Sequence, residues 1–108
     1  MKAKYCHKGE SLDYVNKTAE KIAAGDVLVM GGRIGIAGTD IEPEALGAVH
    51  VSGVFEFTKK DKTAMTVGTV VYLAADGITT TKTDNTPAGY VAAASPAESG
   101  SVWVKINA

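Results

Sequence analysis

The amino-acid sequence predicts a small all-β protein, and three features of its composition and spacing support this prediction. The 108 residues include 18 Val and Ile but only four Leu, and β-branched side chains favour strands over helices. Twelve Gly interrupt the apolar residues at short intervals, so the apolar runs are too short for helices. An Asp-Gly pair at 76–77 between two β-prone runs indicates a hairpin. We therefore expect a single domain, residues 1–108, formed as a β-barrel or β-sandwich of short antiparallel strands.

The strands are expected where short β-branched runs lie between turn-forming residues. Gly31-Gly32 predicts a tight hairpin, and Pro43 marks a loop because proline cannot donate to a strand ladder. Gly53 lies between two apolar runs, which indicates a bulge or a close approach of the backbone. The predicted strands are 27–30, 34–37, 48–51, 54–57, 69–75, 78–83, 89–94 and 101–106.

Residues 1–15 are mostly polar, and we expect them to form an extended N-terminal arm. Either Lys4-Tyr5 or residues 13–15 could pair at the edge of a sheet. After the arm, residues 18–24 could form one helical turn with Thr18 as its cap. Two later segments, 24–29 and 67–72, resemble each other. They could be a duplicated motif, but we interpret them as two similar tight turns into strands.

Composition and charge argue against several classes of protein. The net charge is −1, so a phosphate-binding face is not predicted, and we interpret the basic run at 59–62 as a solvated turn. Cys6 is the only cysteine, which excludes an intrachain disulfide. No apolar run approaches the ~20 residues of a membrane helix, and no signal peptide is apparent. We expect neither a nucleic-acid nor a membrane partner, and we expect folding in a cytoplasm.

The residue types predict no catalytic, cofactor or metal site, and we do not expect an enzyme. Cys6, His7 and His50 are too few for a structural zinc site, and β-branched residues follow Gly31-Gly32 where a phosphate-binding loop needs a helix. Trp103 alternates with valines and is either a core residue or a subunit contact. The candidate contact residues are Tyr5, Tyr14 and Trp103.

A family resemblance covers nearly the whole chain. The segments that carry it are 22–27, 34–37, 40–41, 46–57, 68–72 and 102–106. Through them the chain resembles small phage and prophage proteins that are often labelled predicted recombinases of the RecA/RadA type. Such an ATPase needs a phosphate loop ending in Gly-Lys-Ser/Thr, and this sequence has none.

The resemblance therefore implies a head decoration or cement protein, a structural part of the virion that binds an assembled shell as a trimer. It implies contact with the major capsid protein, no catalytic residue, and a location in the virion, with the host bacterial cytoplasm as the place of assembly. The candidate contact residues would then meet either another protomer or the capsid. The alternative is a β-sandwich binding module of a phage tail or baseplate that recognises carbohydrate or protein.

Overall fold

The computed structural model describes residues 1–108 and contains nine β-strands and no helix. The strands are β1 (Ser11–Val15), β2 (Val27–Met30), β3 (Arg33–Ala37), β4 (Leu46–His50), β5 (Val54–Thr58), β6 (Val70–Ala74), β7 (Gly77–Thr79), β8 (Thr86–Ala93) and β9 (Ser101–Ile106). Every pairing between these strands is antiparallel. The prediction of an all-β protein is confirmed.

The strands form two sheets that pack against each other. The first sheet has the order β1-β4-β3-β2, and the second has the order β5-β9-β8-β6-β7. Neither sheet closes on itself, so the sandwich, and not the barrel, is the architecture that this sequence adopts. The inner face of each sheet is the one that points at the other sheet, and the outer face is the one that points away from it.

Apolar side chains on the two inner faces hold the sheets together. Ile34 and Ile36 of β3 are buried in the same cluster as Val104 of β9, and this cluster is the main core. His50 and Phe55 extend the contact, with ring centroids 6.0 Å apart. Burying one such aliphatic side chain contributes roughly 1.5–3 kcal/mol. The contact between the inner faces is therefore the main source of cohesion between the sheets.

The outer face of the first sheet carries a second, smaller cluster. Ala37 and Val49 are buried there together with Ile22 and Ile41, which lie in the loops before β2 and β4. The backbones of Ile22 and Ile41 hydrogen-bond to each other in both directions, at 2.9 and 2.7 Å. The residues that pack on the margin of this cluster are Tyr14, Leu28, Met30 and Ala45.

Two predictions for the N-terminal region differ from the structure. The arm is shorter than expected, because Ser11–Val15 is the edge strand β1 and only residues 1–10 precede it. Of the two predicted edge pairings, the one at residues 13–15 is confirmed. The helical turn predicted at 18–24 does not form. The amide oxygen of Asn16 accepts hydrogen bonds from the backbone N–H and the hydroxyl of Thr18, at 2.9 and 2.6 Å. Such local side-chain bonds fix a turn where a helix would otherwise start.

The predictions at glycine positions are confirmed only in part. Gly53 forms no bulge but lies between β4 and β5, at φ +119°, where the chain passes from the first sheet to the second. The predicted hairpin around Asp76-Gly77 forms, but its two turn residues are Ala75 and Asp76, because Gly77 pairs with Ala74 as the first residue of β7. Strand β7 ends at Thr79, earlier than predicted, and β8 begins earlier, at Thr86.

Four strands of each sheet repeat one arrangement. The order β1-β4-β3-β2 corresponds to β5-β9-β8-β6, and the registers correspond except beyond two irregularities of the second repeat, between Val71 and Tyr72 and between Val91 and Ala93. The matching pairs include Leu12–Val49 with Phe55–Val104, Ala37–Val49 with Val91–Val104, and Leu28–Gly35 with Val71–Gly89. Segments 24–29 and 67–72 occupy equivalent positions, so the interpretation that they are merely similar turns is wrong. We call residues 11–50 the first repeat and residues 54–106 the second repeat.

The loops of the two repeats also correspond. Gly25 donates its backbone N–H to the Ala37 carbonyl at 2.8 Å, and Gly68 donates to the Val91 carbonyl at 2.9 Å. Both glycines have a φ of +90°, a backbone conformation in which other residues are strained. The second repeat differs by an insertion that supplies β7 and covers the edge of β6. The equivalent strand of the first repeat, β2, remains an edge strand.

Candidate contact surfaces

The outer face of the second sheet presents exposed apolar side chains. Val54, Val70 and Trp103 are each more than half exposed, at 51%, 58% and 54%. Trp103 lies opposite Glu56 on the neighbouring strand, and its indole N–H donates to the Glu56 carboxylate at 3.0 Å. This bond orients the ring on the surface. Of the two predicted roles for Trp103, its exposure excludes the core.

Tyr14 lies on the opposite side of the molecule from Trp103. It pairs with Gly47, on the outer face of the first sheet, and packs half-buried against the smaller apolar cluster. An open depression of about 360 Å³ also lies on this face. Its lining residues are Leu12, Met30, Arg33, Val51 and Asn107.

The floor of this depression is held by Asn107, a residue that the sequence did not single out. The Asn107 amide group donates to the carbonyls of Ile34 and Val51, at 2.8 and 2.9 Å, and its oxygen accepts from the Ile34 N–H at 3.2 Å. Asn107 also has a positive φ of 58°. An Asn in that conformation after a strand is a known turn signal, and it could have marked this position.

Tyr5 belongs to neither face. It lies in residues 1–9, where hydrogen bonds are local, such as Gly9 N–H to His7 Nδ1 at 3.0 Å, and its side chain is 82% exposed. The three candidate contact residues are therefore not brought together. One lies in the arm, one on the outer face of the first sheet and one on the outer face of the second.

The basic run at 59–62 is not simply a solvated turn, because Lys59 is only 4% exposed. Its side-chain nitrogen donates to the carbonyls of Thr63 and Pro96, at 2.7 and 3.2 Å, and to the Ser95 hydroxyl at 3.0 Å. Ser95 in turn donates to the Ser101 carbonyl at 2.8 Å. Lys59 thus ties the end of β5 to two loops, which is a structural role that charge patterning alone does not reveal.

Residues that could have formed a chemical site are separated. Cys6 and His7 lie in the exposed arm, whereas His50, which is also exposed, packs beside Phe55 at the margin of the contact between the sheets. No group of three or more His, Cys, Asp or Glu side chains is placed to hold a metal ion. No helix is present that is long and apolar enough to cross a membrane.

Exposed apolar side chains on both outer faces of a β-sandwich are typical of surfaces that contact other proteins. A family model described as phage cement protein matches residues 6–106, almost the whole chain. The chain therefore belongs to the phage cement protein family. It is a structural, non-enzymatic protein that binds and stabilises the phage capsid, and its location is the virion. The match gives no support to a recombinase label. No curated protein and no solved structure matches the chain.

Proposed function

We propose that the protein decorates the outer surface of an assembled phage head as a homotrimer and bridges neighbouring capsomers of the major capsid protein. Assembly onto the shell takes place in the cytoplasm of the host bacterium. The observation that carries the proposal is the pair of apolar outer faces on a chain that belongs to the cement protein family. Aromatic and aliphatic side chains at such surfaces are typical contact anchors.

We assign the shell contact to the Trp103 end of the second sheet and to the arm. Val54, Glu56 and Trp103 line one shallow surface along the edge strand β5. The arm carries three lysines and no acidic residue before Glu10, so it suits an acidic groove of a capsid protein. A segment that orders only when it binds can follow an irregular capsid surface.

The stabilisation would follow from linkage between binding and shell structure. A protein that binds the mature shell and not its disrupted form shifts the equilibrium towards the shell by RT ln(1 + [L]/Kd). Three linked contacts on one trimer add avidity, because the second and third bind at a high effective concentration. Individually weak contacts can therefore stabilise the whole head.

The test adds purified protein to shells that lack it and measures sedimentation and heat disruption of the shells. We expect the protein to sediment with the shells and to raise their disruption temperature. A Tyr5→Ala variant and a Trp103→Ala variant should bind less, whereas Leu46→Ala, which removes an exposed side chain at neither contact, should bind as wild type. Binding that leaves the disruption temperature unchanged would contradict the cement role.

A further inference from the structure

The two repeats pack head to tail within the chain. Val27 and Ile36 lie on the inner face of the first sheet, yet their equivalents Val70 and Tyr90 lie on the outer face of the second. The opposite holds for Tyr14, which is on an outer face, and its equivalent Phe57, which is on an inner face. Each repeat therefore has two different faces, and the chain joins one kind to the other.

The cleft between the sheets shows which residues meet in this contact. Phe55, Glu56 and Phe57 of the second repeat line it together with Val27, Ile36 and His50 of the first. The register gives the equivalents of both sets. In the first repeat, the residues equivalent to Phe55, Glu56 and Phe57 are Leu12, Asp13 and Tyr14. In the second repeat, the residues equivalent to Val27, Ile36 and His50 are Val70, Tyr90 and Lys105.

Neither equivalent set is covered by a sheet within the chain. Leu12 is 42% exposed and Val70 is 58% exposed, and both are apolar. Tyr90 is half-buried where Ile36 is buried. The outer face of the first sheet and the outer face of the second sheet are therefore both uncovered, and they lie at opposite sides of the molecule.

We infer that a second copy of this chain continues the stacking, so that the outer face of one copy's second sheet docks on the outer face of the next copy's first sheet. This inference rests on the proposed oligomer. Tyr90 and Val70 of one copy would cover Leu12 and Tyr14 of the next, and the nearby depression of about 360 Å³ leaves room for a large side chain.

Such a contact is heterologous, because the two surfaces that meet are different. Heterologous contacts form a ring when the rotation between copies closes and an open stack when it does not, so the proposed trimer requires a contact between copies that is tilted relative to the contact within the chain. The contact also leaves Trp103 free for the shell. The residue equivalent to Trp103 in the first repeat is Ala48. Ala48 lies on the inner face of the first sheet and is still exposed, so the contact within the chain does not cover this position.

The test uses Val70→Asp and Leu12→Asp, which place one charge on each of the two faces at an exposed position. Light scattering and sedimentation should show wild-type trimers and should show each variant alone as a monomer. A mixture of the two variants retains one intact pair of faces, so it should form a dimer that grows no further. Leu46→Asp, at a more exposed apolar position outside both faces, should remain trimeric.

Three outcomes would overturn the inference: a monomeric wild type, a variant that keeps the wild-type mass, or a mixture that stays monomeric. Circular dichroism checks that each variant is folded. If either is not, Val70→Ala and Leu12→Ala replace them, and each should weaken the trimer because it removes an exposed apolar side chain from one of the two faces. Sedimentation with bare shells, measured separately, shows whether monomers still bind, so failure of this contact is distinguishable from failure of the cement role.

Discussion

Asn16 and Lys59 occupy equivalent positions at the ends of β1 and β5, and each binds the carbonyl of the fourth residue after it. The Asn16 side chain donates to the Glu20 carbonyl at 2.8 Å, and the Lys59 side chain donates to the Thr63 carbonyl at 2.7 Å. Both side chains are buried. Two different side chains therefore bind the loop that follows the strand in each repeat. Each should contribute measurably to the free energy of unfolding.

Replacing Lys59 by Met should lower the free energy of unfolding by roughly 1–3 kcal/mol. Met preserves most of the apolar stem but leaves the carbonyls of Thr63 and Pro96 without this donor. Chemical denaturation measures the change. Lys60→Ala is the matched control, since Lys60 is exposed and its ion pair with Asp76 at 3.6 Å should be worth less than about 1 kcal/mol. Equal effects of the two substitutions would contradict a structural role for Lys59.

Asn16→Ala should also cost roughly 1–3 kcal/mol, because the Ile41 carbonyl loses the Asn16 donor at 2.9 Å and the Thr18 turn loses its acceptor. Asn16→Asp should not rescue stability, since a carboxylate keeps the acceptor but cannot donate to Ile41. Denaturation of both variants beside the exposed Lys17→Ala measures this. A fully stable Asp variant would show that the donor bonds contribute little.

The strand pattern is largely readable from the sequence, because β-branched runs between glycines depend on local preferences. Strands β2, β3, β5 and β9 form within about one residue of their predicted bounds. The helical turn predicted at 18–24 is wrong for a different reason. Asn16 prevents this turn, because its amide also donates to the carbonyl of Ile41, a contact with a residue distant in the sequence. The solvated turn predicted at 59–62 is wrong only at Lys59, since Lys60 and Lys62 are exposed and only the folded chain brings Ser95 to Lys59.

The repeat is hidden in the sequence because the two copies preserve geometry and not residue type. Ile36 corresponds to Tyr90, and Asn16 corresponds to Lys59, so similarity in sequence is confined to short segments such as 24–29. The insertion that carries β7 also changes the spacing part-way through the repeat. Tyr14 and Trp103 are candidate contacts because they are aromatic, and only the fold shows that they lie on opposite outer faces.

Gly35 and Gly89 are equivalent, yet alanine should be tolerated at the first far better than at the second. At Gly35 an added Cβ meets the flexible end of Met30 and the buried side chain of Val49, which must move, but no backbone atom closer than 3.5 Å. At Gly89 it meets the backbone of Lys105, and φ is +141°. We expect a loss of roughly 1–3 kcal/mol for Gly35→Ala and a larger loss, or no folding, for Gly89→Ala.

Thermal unfolding of the Gly35→Ala and Gly89→Ala variants measures which substitution costs more stability. Gly32→Ala is the control, because a Cβ there meets no atom within 4 Å and the backbone needs no positive φ. A Gly89→Ala protein as stable as Gly35→Ala would show that β8 and β9 can separate locally, in conflict with the close approach of Gly89 to the Lys105 backbone.

Trp103 is the only tryptophan, so its fluorescence should report whether the outer face of the second sheet is covered on the shell. We expect a shift of its emission to shorter wavelength when bare shells are added, because the ring loses contact with water. Trp103→Ala should weaken shell binding about tenfold or more, equal to about 1.4 kcal/mol, as expected for an aromatic anchor. Glu56→Ala removes only the 3.0 Å bond that orients the ring and should weaken binding less. Binding detected by sedimentation with unchanged emission would place the shell contact elsewhere, and the arm around Tyr5 would then carry it.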